Sequence, residues 1–299
     1  MIFVLRKEGF MKDLRTISTN TRLCAVIGNP IAHSLSPAIH NAAFAELNLD
    51  FVYLACRVED VKNALAGMRA LENFRGMSVT IPHKVEAMKY VDDIAEADRS
   101  IGSINTIIHE KDKLVGLGTD GPGALKALVD AGIDVDGKHI LMLGSGGAAR
   151  AIAFTLALKT RPEKLTLLDI DQNMLNQLTA DLKAGTPAPV ASEVLTQTAL
   201  AAAMDTADII LHCTPVGMHP NTDASLIPAD LFRSGQVVFD IVYTPLETKL
   251  LADAKSRGLT VICGVEMFVN QAVLQFEQFT GVNAPVEVMR RVVMEQLKL

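Results

Sequence analysis

No apolar run in this chain approaches the length of a membrane span; the best, Ala151 to Leu158, stops at Lys159. An excess of positive charge is missing too. Lys and Arg number 28 against 34 Asp and Glu, a net charge of −6, which argues against a nucleic-acid footprint. Cysteine is scarce: Cys24, Cys56, Cys213 and Cys263 each sit in or beside an apolar run, and no two are close in sequence. They read as small buried hydrophobes in a reducing compartment rather than a disulfide frame or a zinc site. The seven histidines supply no ligand spacing, so no metal is expected. Repeats of solenoid period and low-complexity tracts are absent as well. Met1 to Asn20 has one short apolar start, then mixed charge, and lacks the apolar core of a signal peptide. It reads as a leader or a poorly ordered arm, and the chain as a cytoplasmic protein without membrane partners.

What is present suffices for a globular core. The chain has 299 residues, 49% of them hydrophobic and 21% charged. At ~150 residues per domain, two domains are expected. Apolar runs over Leu23–Ile27, Phe51–Ala55, Met77–Thr80 and Ile104–Ile108 read as strands, with helical patterns at Pro37–Leu47 and Val61–Leu71 between them. A second series begins near residue 138, with strands at His139–Leu143, Lys164–Leu168, Ile209–His212, Val237–Ile241 and Leu259–Ile262 and a helix at Ala148–Lys159. Met267–Phe279 and Val286–Leu297 read as closing helices. Strand alternating with helix implies an α/β fold with mostly parallel sheets, and unalternating Val, Ile and Leu imply strands covered on both faces. The glycine-rich stretch 116–137, with a helix at Ala124–Asp130, reads as the junction between the two halves.

One turn has the context of a dinucleotide fingerprint. Strand His139–Leu143 runs into Gly144, Ser145, Gly146, Gly147, Ala148 and Ala149, then an apolar helix. Gly144 permits the tight turn, Gly146 lets backbone approach a pyrophosphate, and Ala149 is small where helix meets strand. Phosphates would rest on the free N–H groups of the helix start. At the end of the next strand stand Asp169, Ile170 and Asp171. An acid here bonds ribose hydroxyls and repels the extra phosphate of NADP, so Asp169 points to NAD as the preferred cofactor. The plainer alternative is that Asp169 or Asp171 only caps the helix starting near Gln172.

The first half carries polar residues at strand ends. Ser34, Leu35, Ser36 and Pro37 open a helix, with Ser36 as expected N-cap; two hydroxyls there also suit a small carboxylate. Thr80 and Lys84 follow a strand at its carboxyl end, where open α/β sheets bind ligands. His83, beside Lys84, is the rival for acid–base work. Asn105 falls at or in a strand, where asparagine is disfavoured, and Asp120 sits among glycines, where a simple turn is the plain reading.

Taken in order, these motifs resemble the shikimate dehydrogenase family, including its quinate/shikimate branch. The match runs over Ser34–Pro37, Ser78–Lys84, Gly102–Thr106, Thr119–Gly121 and Gly144–Arg150, then Cys213–Met218, Asp240–Tyr243 and Gly264–Met267 with Gln271 and Ala272. The resemblance implies reversible reduction of 3-dehydroshikimate to shikimate with a nicotinamide cofactor. It implies that Ser34, Ser36 and Tyr243 hold the substrate carboxylate, that Thr80, Asn105 and Gln271 hold the ring, and that Lys84 and Asp120 are catalytic. Thr214, Met218 and Gly264 would lie by the cofactor. It further implies a substrate domain of residues 21–119 with 264–299, and a Rossmann-like NAD(P) domain of residues 120–263. The chain departs from the family where Ser78 replaces a common Asn and where Gly118 replaces another, which would loosen the turn supporting Asp120. It also has Asp169–Ile170–Asp171 where NADP-using members have Asn-Arg-Thr. NAD is therefore the expected cofactor, with NADP as second, and quinate the second substrate after shikimate. A monomer or homodimer is expected. Two rivals are a non-catalytic sensor of NAD and a polyol acid, and a methylene-tetrahydrofolate dehydrogenase; the Lys84/Asp120 pair speaks against the first and the Ser34–Pro37 turn against the second.

Overall fold

The structure is a computed structural model, and it describes residues 17–298. Most of the expected N-terminal arm, residues 1–16, lies outside the described residues. Two six-stranded sheets divide the chain. The first half runs β1 (Arg22–Gly28), α1 (Ser36–Glu46), β2 (Phe51–Arg57), α2 (Val61–Arg69), β3 (Phe74–Val79), β4 (Asp93–Ile94), α3 (Glu96–Ile101), β5 (Thr106–Glu110) and β6 (Lys113–Leu117). After α4 (Asp120–Asp130) come β7 (His139–Leu143), α5 (Gly147–Lys159), β8 (Lys164–Asp169), α6 (Gln172–Gly185), β9 (Val190–Val194), α7 (Gln197–Met204) and β10 (Ile209–His212). β11 (Val237–Asp240), α8 (Lys249–Ser256), β12 (Thr260–Ile262), α9 (Gly264–Thr280) and α10 (Val286–Gln296) complete it.

Both sheets are covered on both faces, as the unalternating apolar runs require. In β1, Cys24 and Val26 face α1, α9 and α10, while Ala25 and Ile27 face the layer of α2. In β7, Ile140 and Met142 join the core beneath α4, α5 and α6; Leu141 and Leu143 join the one beneath α7 and α8. The second sheet is wholly parallel, in the order β12-β11-β10-β7-β8-β9. That is the 3-2-1-4-5-6 order of dinucleotide-binding sheets, with its switch point between β7 and β10.

The first sheet is mostly parallel but not wholly, in the order β2-β1-β3-β5-β6-β4. β5 pairs antiparallel with both β3 and β6. The β5–β6 hairpin turns at Lys111 and Asp112, both with positive φ, so part of the expected junction is a strand of this sheet. β6 was hidden because Gly116 and Gly118 interrupt its pattern. Gly116 is nonetheless buried, since a Cβ there would lie 2.6 Å from Ile104 Cδ1.

α4 lies between α5 and α9. A Cβ on Gly121 would lie 2.4 Å from the Ala151 carbonyl, and one on Gly123 would lie 2.8 Å from the Gln271 amide. Glycine thus lets three helices pack backbone to backbone where the two sheets meet, and the closing helix α9 comes back to the first sheet.

Candidate active site

A cavity of about 240 Å³ opens between the carboxyl ends of β1 and β3, the start of α1 and one face of α9. It brings together Ser34, Ser36, Thr80, Lys84, Asn105, Asp120, Tyr243, Gly264 and Gln271, residues drawn from both ends of the chain. At one end the Ser34 Oγ accepts from the Ser36 N–H at 3.3 Å. Ser36 is not the N-cap expected from sequence. Leu35 already has helical backbone and holds that position, no side chain caps the helix, and Ser36 is its first residue. The chain enters α1 one residue early.

At the other end the Lys84 Nζ lies 2.5 Å from Asp120 Oδ2, with the two side chains 23% and 15% exposed. Asn105 Nδ2 donates to the second oxygen, Asp120 Oδ1, at 2.8 Å. Asp120 also opens α4, so the helix dipole favours its negative charge. Asn105 precedes β5 rather than lying in it. Its side-chain Oδ1 accepts from the Thr119 N–H at 2.7 Å, which fixes the amide toward Asp120. The turn at Gly118 is not loosened. Asp98 Oδ1 would be only 2.5 Å from a Cβ at position 118, so the Asp98 carboxylate occupies the space of the missing side chain. Burial raises the Asp98 pKa, and the nearby Gly118 backbone offsets only part of that. His83 is no rival for acid–base work: it is buried, and its Nε2 lies 2.8 Å from the Val58 carbonyl.

A chain of buried donors forms the floor. Tyr53 Oη donates to Ser78 Oγ at 2.6 Å, and Ser78 Oγ to Gln275 Oε1 at 2.6 Å. Gln275 Nε2 donates to Thr106 Oγ1 at 3.0 Å, and Thr106 Oγ1 to Asn105 Oδ1 at 3.1 Å. Every donor points toward Asp120. Sequence reasoning missed Gln275 and the partner of Ser78. The signals were there: Gln275 is one helical turn from Gln271, and Ser78 is two residues before Thr80. Tyr243 stacks on Phe268 with ring centroids 4.9 Å apart, and burial raises its pKa, keeping the phenol a neutral donor.

The glycine turn occupies the switch point of the second sheet. Gly144 has φ +106°, which favours glycine, and a Cβ there would meet the Cys213 carbonyl at 2.8 Å. Gly146 and Gly147 have open space where a side chain would project, and no side chain caps α5. Free N–H groups at an open helix start fit a pyrophosphate. Asp169 Oδ2 accepts from the Ser145 N–H and Oγ–H, each at 2.6 Å, so the acid braces the turn. Asp171 is the N-cap of α6, accepting from Asn173 and Met174. Thr214 follows β10 beside Gly144, and Met218 lies further along, half exposed and outside the cavity lining.

A glycine turn at the switch point of one sheet, together with an acid–amine pair in a cavity at the other, fits the class of nicotinamide-dependent oxidoreductases. Comparison with known proteins narrows the class. The shikimate dehydrogenase substrate binding domain matches residues 26–107, and the shikimate 5'-dehydrogenase C-terminal domain matches residues 264–294. A shikimate dehydrogenase (NADP(+)) of Moorella thermoacetica is 43% identical over 94% of this chain and 95% of its own. The structure of shikimate 5-dehydrogenase from Listeria monocytogenes, in complex with shikimate and NAD, aligns with a TM-score of 0.89 at 33% identity, covering 94% of this chain and 99% of that one. Quinate dehydrogenase from Corynebacterium glutamicum, in complex with NAD, aligns with a TM-score of 0.85 at 25% identity over 92% and 99%. The chain belongs to the shikimate dehydrogenase family, and is an NAD(P)-dependent oxidoreductase acting on a CH–OH group. Among the described residues, no helix is long and apolar enough to cross a membrane.

Proposed function

We propose that this chain oxidises shikimate reversibly to 3-dehydroshikimate in the cytoplasm, with NAD in preference to NADP, and takes quinate as its second substrate. The observation that carries the reading is the Lys84–Asp120 pair, set across one small cavity from Ser34 and Ser36. In this reading residues 21–119 and 264–299 bind substrate and residues 120–263 bind the nucleotide. Ser34, Ser36 and Tyr243 hold the carboxylate; Thr80, Asn105 and Gln271 fix the ring. When bound, the nicotinamide takes up or supplies a hydride. Gly144, Ser145, Gly146, Gly147 and Ala148 would hold its phosphates, Asp169 the adenosine ribose, and Thr214, Met218 and Gly264 the nicotinamide end.

Reduction of a ketone builds negative charge on oxygen, and a cation with a proton must meet it there. Lys84 carries both at Nζ. Asp120 orients the ammonium through Oδ2, while Asn105 holds Oδ1. In the oxidation direction the same pair receives the hydroxyl proton.

The NAD preference is supported by Asp169 at the end of β8 followed by Ile170, 80% exposed, where an Arg would grip a phosphate. The Moorella relative carries NADP(+) in its name, so both cofactors enter the test. Shikimate and quinate are each assayed with NAD and NADP by the absorbance of reduced cofactor. The expected order is shikimate with NAD first; NADP favoured over NAD refutes the cofactor assignment, and no turnover refutes the substrate assignment.

A further inference from the structure

Behind the cofactor side of the cleft lies a buried group that the proposed chemistry does not use. His212 ends β10 and Asp240 ends β11, with side chains 1% and 0% exposed. His212 Nδ1 is 2.8 Å from Asp240 Oδ1, and His212 Nε2 is 2.6 Å from Thr214 Oγ1. Asp240 also accepts from the Val242 N–H at 3.0 Å and from Thr248 Oγ1 at 2.6 Å. Asp240 thus ties His212 to the segment after β11 through both of its oxygens. The His212 ring therefore bridges Asp240 at Nδ1 and Thr214 at Nε2.

That bridge fixes Thr214. Its hydroxyl pairs with His212 at 2.6 Å, while the Val216 N–H donates to its oxygen at 3.2 Å. The hydroxyl is thus held from two sides, and the turn after β10 is tied to the Asp240–Val242 backbone. The His219 N–H, donating to the Thr244 carbonyl at 3.0 Å, fastens the same two segments. Thr214 also adjoins the phosphate turn: its Cγ2 would lie 3.1 Å from a Cβ on Gly144.

We propose that His212, braced by Asp240, is a positioning residue for dinucleotide binding. It holds the Thr214 hydroxyl in one orientation as a hydrogen-bonding contact for a polar group on the cofactor, such as the nicotinamide carboxamide, and sets the turn that carries Thr214 to Met218. The inference rests on the nucleotide-binding half of the proposed function and not on the identity of the substrate.

The test uses the full chain and two variants, Thr214→Val, which removes the hydroxyl at nearly constant volume, and His212→Asn, which keeps a partner for Asp240 but is too short to reach Thr214. NADH and NADPH binding are followed by nicotinamide fluorescence, and shikimate binding by calorimetry. Each variant is expected to raise the Kd of the preferred reduced cofactor about tenfold, ~1.4 kcal/mol, with the shikimate Kd unchanged. The double variant is expected to be no weaker than the worse single one, because both remove one interaction. An unchanged cofactor Kd in Thr214→Val overturns the proposal, and so does an equal loss of shikimate affinity, which marks a merely structural role. Should His212→Asn fail to fold, Thr214→Val still decides. Should the original chain bind no shikimate, the substrate reading fails, while the cofactor titration still tests this one.

Discussion

Acidification should unfold this protein through His40, which has no counterion among the described residues. His40 lies on α1, fully buried, with its ring stacked on Tyr53 at 4.3 Å and 2° and with Phe276 and Phe279 close by. Among the described residues neither ring nitrogen meets hydrogen-bond geometry. Burial lowers its pKa from 6.5 to about 3, and the nearby Gln275 amide offsets only part of that. The folded state thus binds fewer protons than the unfolded state between those values. Stability is fully present above pH 6.5 and is lost as pH falls toward 3. At ~1.36 kcal/mol per pH unit, the loss is ~2 kcal/mol at pH 5 and up to ~5 kcal/mol below pH 3. Because carboxylates titrate over the same range, the measurement is a difference. Urea unfolding is followed by far-UV circular dichroism, the chain having no tryptophan, for the unsubstituted protein and His40→Phe from pH 8 to pH 5. Any packing strain from the larger ring is independent of pH. The stability difference should therefore move by ~2 kcal/mol in favour of His40→Phe on going to pH 5. Parallel curves would show that His40 gains a proton as readily folded as unfolded, and the reasoning would fail.

Three further outcomes are expected. Lys84→Ala should lower turnover by at least about 100-fold with thermal unfolding little changed, because the side chain faces a cavity; near-normal turnover in a folded variant removes Lys84 from the chemistry. Asp169→Ala should move the ratio of kcat/KM for NAD over NADP toward NADP by roughly tenfold, the ratio cancelling any general loosening of the Ser145 turn; an unmoved ratio means that Asp169 only braces the turn. Gly118→Ala forces a Cβ to within 2.5 Å of Asp98 Oδ1 and should destabilise the fold. The expected cost is ~1–3 kcal/mol by calorimetry, and adding Asp98→Ala should recover part of it. No loss in Gly118→Ala would mean that α3 yields freely.

Sequence alone determined most elements and both sheets, because the information is local. Ile140–Leu143 and Ile209–Leu211 are apolar without alternation, and only a strand buried on two faces uses such a run. The turn at Gly144 was equally legible, since its strand, its glycines and its helix are contiguous. Thr80, Lys84 and Asn105 could be picked out because polar residues at strand ends are unusual, and the ordered motifs carried the rest of the site by resemblance.

What tertiary structure alone decided involves partners far apart in the chain. The antiparallel β5–β6 hairpin depends on Gly116 fitting against Ile104, a packing fact invisible in a glycine-broken pattern. Gly118 reads as a weak turn until Asp98 is seen to fill its place. Gln275 has no motif of its own and gains meaning only when α9 folds back to set it between Ser78 and Thr106. His212, read as one more residue of a buried strand, becomes a strut because β11 lies beside β10 and brings Asp240 to its ring. Periodicity and turn chemistry are written along the chain. The pairing of buried donors with acceptors is not, because each bond joins residues that only the finished packing brings within 3 Å.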